Sequence, residues 1–348
     1  MKERINYFDL LKTISIFLVV TVHYTWLSDS AACNILQIIC ILAVPVFFMV
    51  NGALLLDREL VLKDHIKRMI TIYLSLVAWR VLIFVIYYFI NGGTEVSRYG
   101  ILEHALFNKK LAGIPTEHMW FTFALLKIYI IFPFVKYAID KDKNICKYAV
   151  VLLFCVSYLP DFLSTINTYF IKRKDIDPFI VSSSFSMLSG CEYLLCFILG
   201  YMLHKRFYKT GLDKRSLIIL ILLICTAMAG FIYLKLLQDG GIAGPYQGIP
   251  NRYRKVSGLL LAGSVFVLFA KIDIKNCRLV SFIGRKTMNI YNIHMIIVAL
   301  LYSYVLPIWN VKGILPNLAK TIATFVAAIL VTELLAKIKP VKKLFNLV

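Results

Sequence analysis

Lys12 and His23 sit inside the first apolar run of the sequence, YFDLLKTISIFLVVTVHY, and are the residue types in it that could do chemistry. Eleven positions separate them, which on an α-helix returns to within about 20° of one direction and rises about 16 Å. Asp9, three positions before Lys12, falls close to the same stripe and can offset its charge. Such an ionisable ladder is too costly to face lipid, so it must face a protein-lined or hydrated interior, where each member is a functional candidate by default. Imidazole titrates near neutrality, so His23 can take a proton from a hydroxyl and hand it on, or briefly carry an acyl group itself. The bland reading has Lys12 snorkelling to head groups and His23 as a satisfied structural histidine.

Other candidates lie further along. Glu117 and His118 open a later apolar run with Trp120 beside them; the pair could orient an acceptor hydroxyl, whereas Trp120 reads as an interfacial anchor. In SFIGRKTMNIYNIH, Tyr291 and His294 are three apart and share a helix face. His294 ranks below His23, because a hydrogen bond between helices would account for it. Lys67 and Arg68 precede one run, and Arg285 with Lys286 follows Gly284 at the start of another. With Lys12 these cations read either as a cradle for phosphates or as charge that sets topology. Gly284 would permit close approach of a ligand or a helix. Lys127 receives no role, Lys235 reads as snorkelling outward, and His65, His104 and His204 are assigned none.

The elements that must position these residues follow from composition. The 348 residues are 60% hydrophobic and 17% charged, with mean hydropathy +0.77, where soluble domains are about 45–50% apolar. A soluble globule is excluded, and the fold expected is all-α, a polytopic integral membrane protein. A span needs about 20 apolar residues; ten candidates run over 7–27, 35–56, 69–90, 118–139, 148–159, 186–203, 217–237, 256–270, 280–305 and 318–336. With the amino terminus inside, about 21 basic residues fall on the cytoplasmic side and about 10 outside, which the positive-inside rule resolves as both termini cytoplasmic. The first run is too long for a cleavable signal peptide. No repeat or appended soluble domain is visible, so residues 1–348 read as one domain. The net charge of +20 serves topology or anionic head groups before nucleic acid, and no nucleic-acid partner is expected. Cys40, Cys155, Cys196 and Cys225 lie in apolar runs and read as small buried residues; Cys191 and Cys196 lack the spacing of a zinc site, so no metal is expected.

The opening segment resembles the first helix of acyltransferase family three, integral-membrane enzymes that acetylate bacterial surface polysaccharides, peptidoglycan and related acceptors. PVFFMVNGALLL resembles the family's second helix and IKRMITIY the basic start of its third; HMWFTFALLKIYIIFP is similar to its His-x-Trp-Phe helix and SFIGRKTMNIYNIH to its late Gly-Arg, Tyr, His segment. The set occurs in the family's order along the chain. Lys12 stands where an arginine is usual and Asn51 where a serine is commoner, and the esterase-like carboxyl-terminal domain of some members is not seen. The resemblance implies a membrane O-acetyltransferase in a bacterial cytoplasmic membrane, moving an acyl group, most often acetyl, from cytoplasmic acyl-CoA to a hydroxyl of a glycan or other extracytoplasmic acceptor. On that reading Lys12, Lys67, Arg68 and Arg285 meet the donor, and His23, Glu117 and His118 do the chemistry. The competing reading is a transporter or permease, in which Asp9, Lys12 and His23 relay protons, although the inverted repeat and paired broken helices of that class are not visible. A scaffold whose basic tail holds anionic lipid is a third reading, and it leaves the buried stripe unexplained. The acceptor and the oligomeric state are not legible.

Overall fold

In the computed structural model, residues 4–25, 31–90, 98–107, 116–172, 190–239, 255–305 and 313–347 are described, and every regular element among them is helical. In chain order these are α1 Asn6–Thr25, α2 Ala31–Cys40, α3 Ala43–Leu56, α4 Leu62–Ile90, α5 Arg98–Leu106 and, after a 3₁₀ turn at Glu117–Met119, α6 Trp120–Lys141. Then come α7 Asn144–Ser157, α8 Leu159–Ile166 with a π turn at Asn167–Ile171, α9 Cys191–Phe207, α10 Lys214–Asp239 and α11 Val256–Lys271. α12 Arg278–Leu300, α13 Ile314–Ala336 and α14 Lys339–Leu344 complete the order. Local chemistry places the ends. Pro160 opens α8 and Pro340 opens α14, where a missing N–H costs nothing. Asp213 caps α10 by accepting the Ser216 N–H at 3.2 Å, and hydrogen bonds from Ser216 hold its carboxyl below the ordinary carboxylate range.

Among the described residues, seven of the ten expected spans are long and apolar enough to cross a membrane: Asn6–Thr25, Ala31–Leu56, Leu62–Phe89, Glu117–Lys141, Asn144–Ile171, Lys214–Leu237 and Ile314–Ala336. The other three are helical but fall short by that measure. α9 is described over 17 residues and ends in His204, Lys205 and Arg206, α11 has 16 residues, and α12 carries Arg285, Lys286, Asn289, Asn292 and His294. Two compact units are interleaved along the chain. One comprises Met1–Glu59, Phe134–Gly284 and Lys312–Leu318, the other Leu60–Pro133, Arg285–Val311 and Ala319–Val348.

In the first unit α3 is the central helix, buried on nearly all sides, and packs on α1 and α9. Lipid is as apolar as leucine, so burial of apolar surface cannot drive this packing; close backbone approach through small residues can. A Cβ added at Gly52 would overlap the Phe197 carbonyl oxygen, and one at Gly200 would overlap the backbone of Met49. Nothing larger than glycine fits where α3 and α9 cross. The outer helices present their apolar side chains instead, with Tyr148 and Val151 on α7 and Ile218 and Leu222 on α10 exposed. Cys155 and Cys225 are exposed with them, which corrects the expectation that both are buried; Cys40 and Cys196 are buried. An apolar run in a membrane protein holds lipid-facing positions as readily as buried ones. Lys235 is also corrected: it is 1% exposed, so it is held within the protein and does not snorkel.

In the second unit, α4 presents Tyr73 and Arg80, two turns apart on one face, to the carboxyl end of α5. The Tyr73 hydroxyl donates to the Leu106 carbonyl at 3.0 Å and Arg80 Nε to the His104 carbonyl at 2.6 Å. Both carbonyls belong to the last turn of a helix, which has no intrahelical donor for them, and a cation there also meets the negative end of the helix dipole. Arg80 is 1% exposed and its guanidinium lies 5.4 Å from the centre of the Phe123 ring. Arg80→Met should therefore strand the His104 carbonyl at a cost of about 1–3 kcal/mol and lower the melting temperature in detergent more than Tyr73→Phe does. Equal melting temperatures for wild type and Arg80→Met would remove the cap from the account.

Candidate functional site

The first turns of α1 carry an ion-paired cluster. Asp9, 3% exposed, pairs with Arg4 and with Lys12, the latter at 2.9 Å. The i,i+3 spacing that put Asp9 and Lys12 on one stripe thus brings them into contact. Arg4 precedes the helix, so helical periodicity gave no sign of it, and it is the member that sequence reasoning missed. The start of α12 is fastened to the same turns: Arg4 donates to the Ser281 carbonyl at 3.1 Å and Thr13 to the Val280 carbonyl at 3.2 Å. Gly284 lies against Asp9, where an added Cβ would stand 2.9 Å from the Asp9 Cβ. The close approach expected at Gly284 is that of a helix, α1. Tyr7, fully buried, lies 2.6 Å through its hydroxyl from Nδ1 of His204 on α9, which gives His204 a partner the sequence did not suggest.

Lys12 keeps partial access, with a side chain 21% exposed. His23 is half-buried near the other end of α1, two residues before the helix stops. The helix therefore holds a partly neutralised ammonium at one level and an imidazole about 16 Å along its axis. The first can meet an anion, and the second can accept a proton.

In the second unit the structure joins three aromatic residues that sequence reasoning rated unequally. His118 lies half-buried in the 3₁₀ turn ahead of α6, and the Tyr291 hydroxyl of α12 donates to its carbonyl oxygen. The ring of His294, wholly buried, stands edge-on to the His118 ring with centroids 5.2 Å apart. Nδ1 of His294 is 2.6 Å from the Tyr291 carbonyl oxygen, which ties that ring to its own helix. His294 thus belongs with His118 more closely than its spacing alone suggested. Glu117 is exposed beside them.

Lys67 and Arg68 are exposed on the first turns of α4, with the Arg68 guanidinium 5.9 Å from the Tyr129 ring centre, and Arg285 is exposed on α12. Among the described residues none of these three has an ion-pair partner. Lys286, by contrast, is buried and paired with Glu333 of α13, a bond between helices. Lys12 and His23 belong to the first unit, and Lys67, Arg68, Glu117, His118 and Arg285 to the second. Asn51 is half-buried, its amide donating to the Phe47 carbonyl at 2.8 Å. Among the described residues no group of three or more His, Cys, Asp or Glu is placed to hold a metal ion.

A family model described as an acyltransferase domain, Acyl_transf_3, matches residues 5–336, from Ile5 ahead of α1 to Ala336, the last residue of α13. No curated protein and no solved structure gives a significant match. The match takes in the Asp9–Lys12 pair, His23, the His118–Tyr291–His294 group and the basic starts of α4 and α12, and on it the chain belongs to the acyltransferase-3 family.

Proposed function

We propose that this multi-pass membrane protein is an O-acyltransferase of the bacterial cytoplasmic membrane, with both termini cytoplasmic, that moves an acyl group, most commonly acetyl, from cytoplasmic acyl-CoA to a hydroxyl of a glycan or similar acceptor outside. The observation that carries the reading is the Arg4–Asp9–Lys12 network, built on the buried Asp9 carboxylate at the foot of the same helix that bears His23, in a chain of the acyltransferase-3 family. A transmembrane helix bears this arrangement at a cost that only a function repays.

In this reading Lys12 meets a phosphate of the donor and the flexible arm carries the thioester inward to His23; Lys67, Arg68 and Arg285 are the further cations proposed for the donor. There the imidazole takes the proton of the acceptor hydroxyl as its oxygen attacks the thioester carbonyl; the C–S bond breaks, and the thiolate leaves and is protonated. In the two-step variant His23 itself attacks, an acyl-imidazole forms with loss of the thiol, and the hydroxyl then takes the acyl group. Glu117 and His118 are the residues proposed to orient the acceptor hydroxyl.

The experiment is release of CoA from acetyl-CoA by purified protein in detergent or proteoliposomes, with added hydroxyl acceptors. Release by wild type supports the reading, and its absence with every acceptor class tried sinks it. Release without acceptor, with label trapped on protein, selects the two-step route. Lys12 acts in positioning, so Lys12→Ala should raise the KM for acetyl-CoA about tenfold or more, the scale of one charge-assisted bond, and leave kcat close to wild type. An unchanged KM would take Lys12 out of the site.

A further inference from the structure

Within the first unit a small cleft of ≈ 30 Å³ opens beside the amino-terminal turn of α1, between the α9–α10 connection and the α11–α12 connection. Arg4, Asn6, Tyr7, Tyr208, Lys209 and Asp273 line it. Two cations, an amide and two tyrosine rings converge here, and the ring centroids of Tyr7 and Tyr208 are 5.7 Å apart. The walls are built rather than incidental. Asn6 donates to the Ile274 carbonyl at 2.9 Å, which fixes one lip. Lys209 is a non-glycine residue at φ 55°, held there as its N–H donates to the Ala270 carbonyl at 2.9 Å. That left-handed backbone is uncommon for a lysine, and residues kept in it cluster at ligand clamps and switch regions. Its ammonium is turned along the cleft, 5.6 Å from the Tyr208 ring centre and 3.5 Å from Asp273.

We propose that this cleft binds a phosphate ester, and that on the acyl-CoA reading of the chain, on which this part rests, the ester is the phosphorylated ribose end of the donor. The enclosed space, ≈ 30 Å³, is about a tenth of the smallest whole-ligand sites, which run about 300–1,000 Å³, so the cleft takes a phosphate group at its mouth and not the whole donor. Arg4 and Lys209 supply charge-assisted bonds to phosphate oxygens. The site is wired to the helix bearing His23, because Arg4 also holds Asp9 and Asp9 holds Lys12. A phosphate that draws Arg4 away leaves Asp9 to Lys12 alone.

An anionic lipid head group carries the same chemistry, and the experiment separates the two sources. Binding of adenosine 3′,5′-bisphosphate to the purified full chain is measured by calorimetry, and stabilisation by phosphatidylglycerol over phosphatidylcholine is measured by melting temperature in nanodiscs. Lys209 is half-exposed in a connection, so Lys209→Glu should fold with an unchanged melting temperature in detergent, and Arg4→Gln provides a second variant. The expected result is binding by wild type and at least about tenfold weaker binding by Lys209→Glu. Loss of the phosphatidylglycerol stabilisation alone keeps the phosphate site and assigns it to lipid. Equal binding of both probes by wild type and the two variants overturns the proposal. If acetyl-CoA turns over with the same KM in wild type and Lys209→Glu, the donor assignment falls while the acyltransferase reading stands. If wild type binds the bisphosphate but never releases CoA, the reverse holds.

Discussion

His23→Ala is expected to lower acyl transfer by about 10²–10⁴-fold, the range over which a positioned general base contributes, with thermal stability nearly unchanged. The small structural cost follows from its placement: the side chain is half-buried near the end of α1, so truncation opens no large cavity. The loss should fall on kcat and on kcat/KM alike, because the interaction forms in the transition state, and the KM for acetyl-CoA should move little. His23→Gln, which keeps hydrogen bonding but accepts no proton at neutral pH, should be as inactive as alanine. The measurement is steady-state CoA release over a range of acetyl-CoA concentrations. A variant within threefold of wild type would move the proton transfer elsewhere, with His118 and His294 the next pair to test.

The largest effect on folding is expected from Gly52→Val. A branched side chain there would drive into the Phe197 carbonyl oxygen with the Phe197 Cα 2.9 Å from its Cβ, and both are main-chain atoms of a packed helix. Main chain cannot turn aside as a flexible side chain can, so the helices must separate along their whole contact, at more than about 3 kcal/mol. Gly200→Val, on the opposite face of the crossing, meets Met49 in the same way. Either variant should give no monodisperse peak in size-exclusion chromatography at a detergent concentration where wild type is stable. In contrast Gly263, around which an added Cβ meets nothing within 4 Å, should accept alanine. Normal behaviour of Gly52→Val would mean that α3 and α9 do not cross so closely.

The membrane class and the helical architecture were legible because hydropathy reports directly on the solvent of each run. The three spans that stay below the membrane measure show its limit, since α12 buries Lys286, Asn289, Asn292 and His294 against protein and so can be polar at depth. Of the candidate site, the Asp9–Lys12 pair was legible because both residues lie on one helix, where spacing fixes the geometry. Arg4, the bond between Tyr7 and His204, and the meeting of His118 with His294 were not, because each joins segments whose approach is decided by packing. Arg80 was hidden for the same reason. A basic residue in a span signals cost, but only the structure supplies the carbonyl that repays it.

The fastening of α5 carries a last consequence. Beyond its packing, α5 is fastened by hydrogen bonds from Tyr73 and Arg80 to two carbonyl oxygens at its final turn. Bonds of this kind are strong where water is scarce and weak where it can compete. Water reaching the end of α5 would compete for both carbonyls, so this fastening is strongest while that end stays dry.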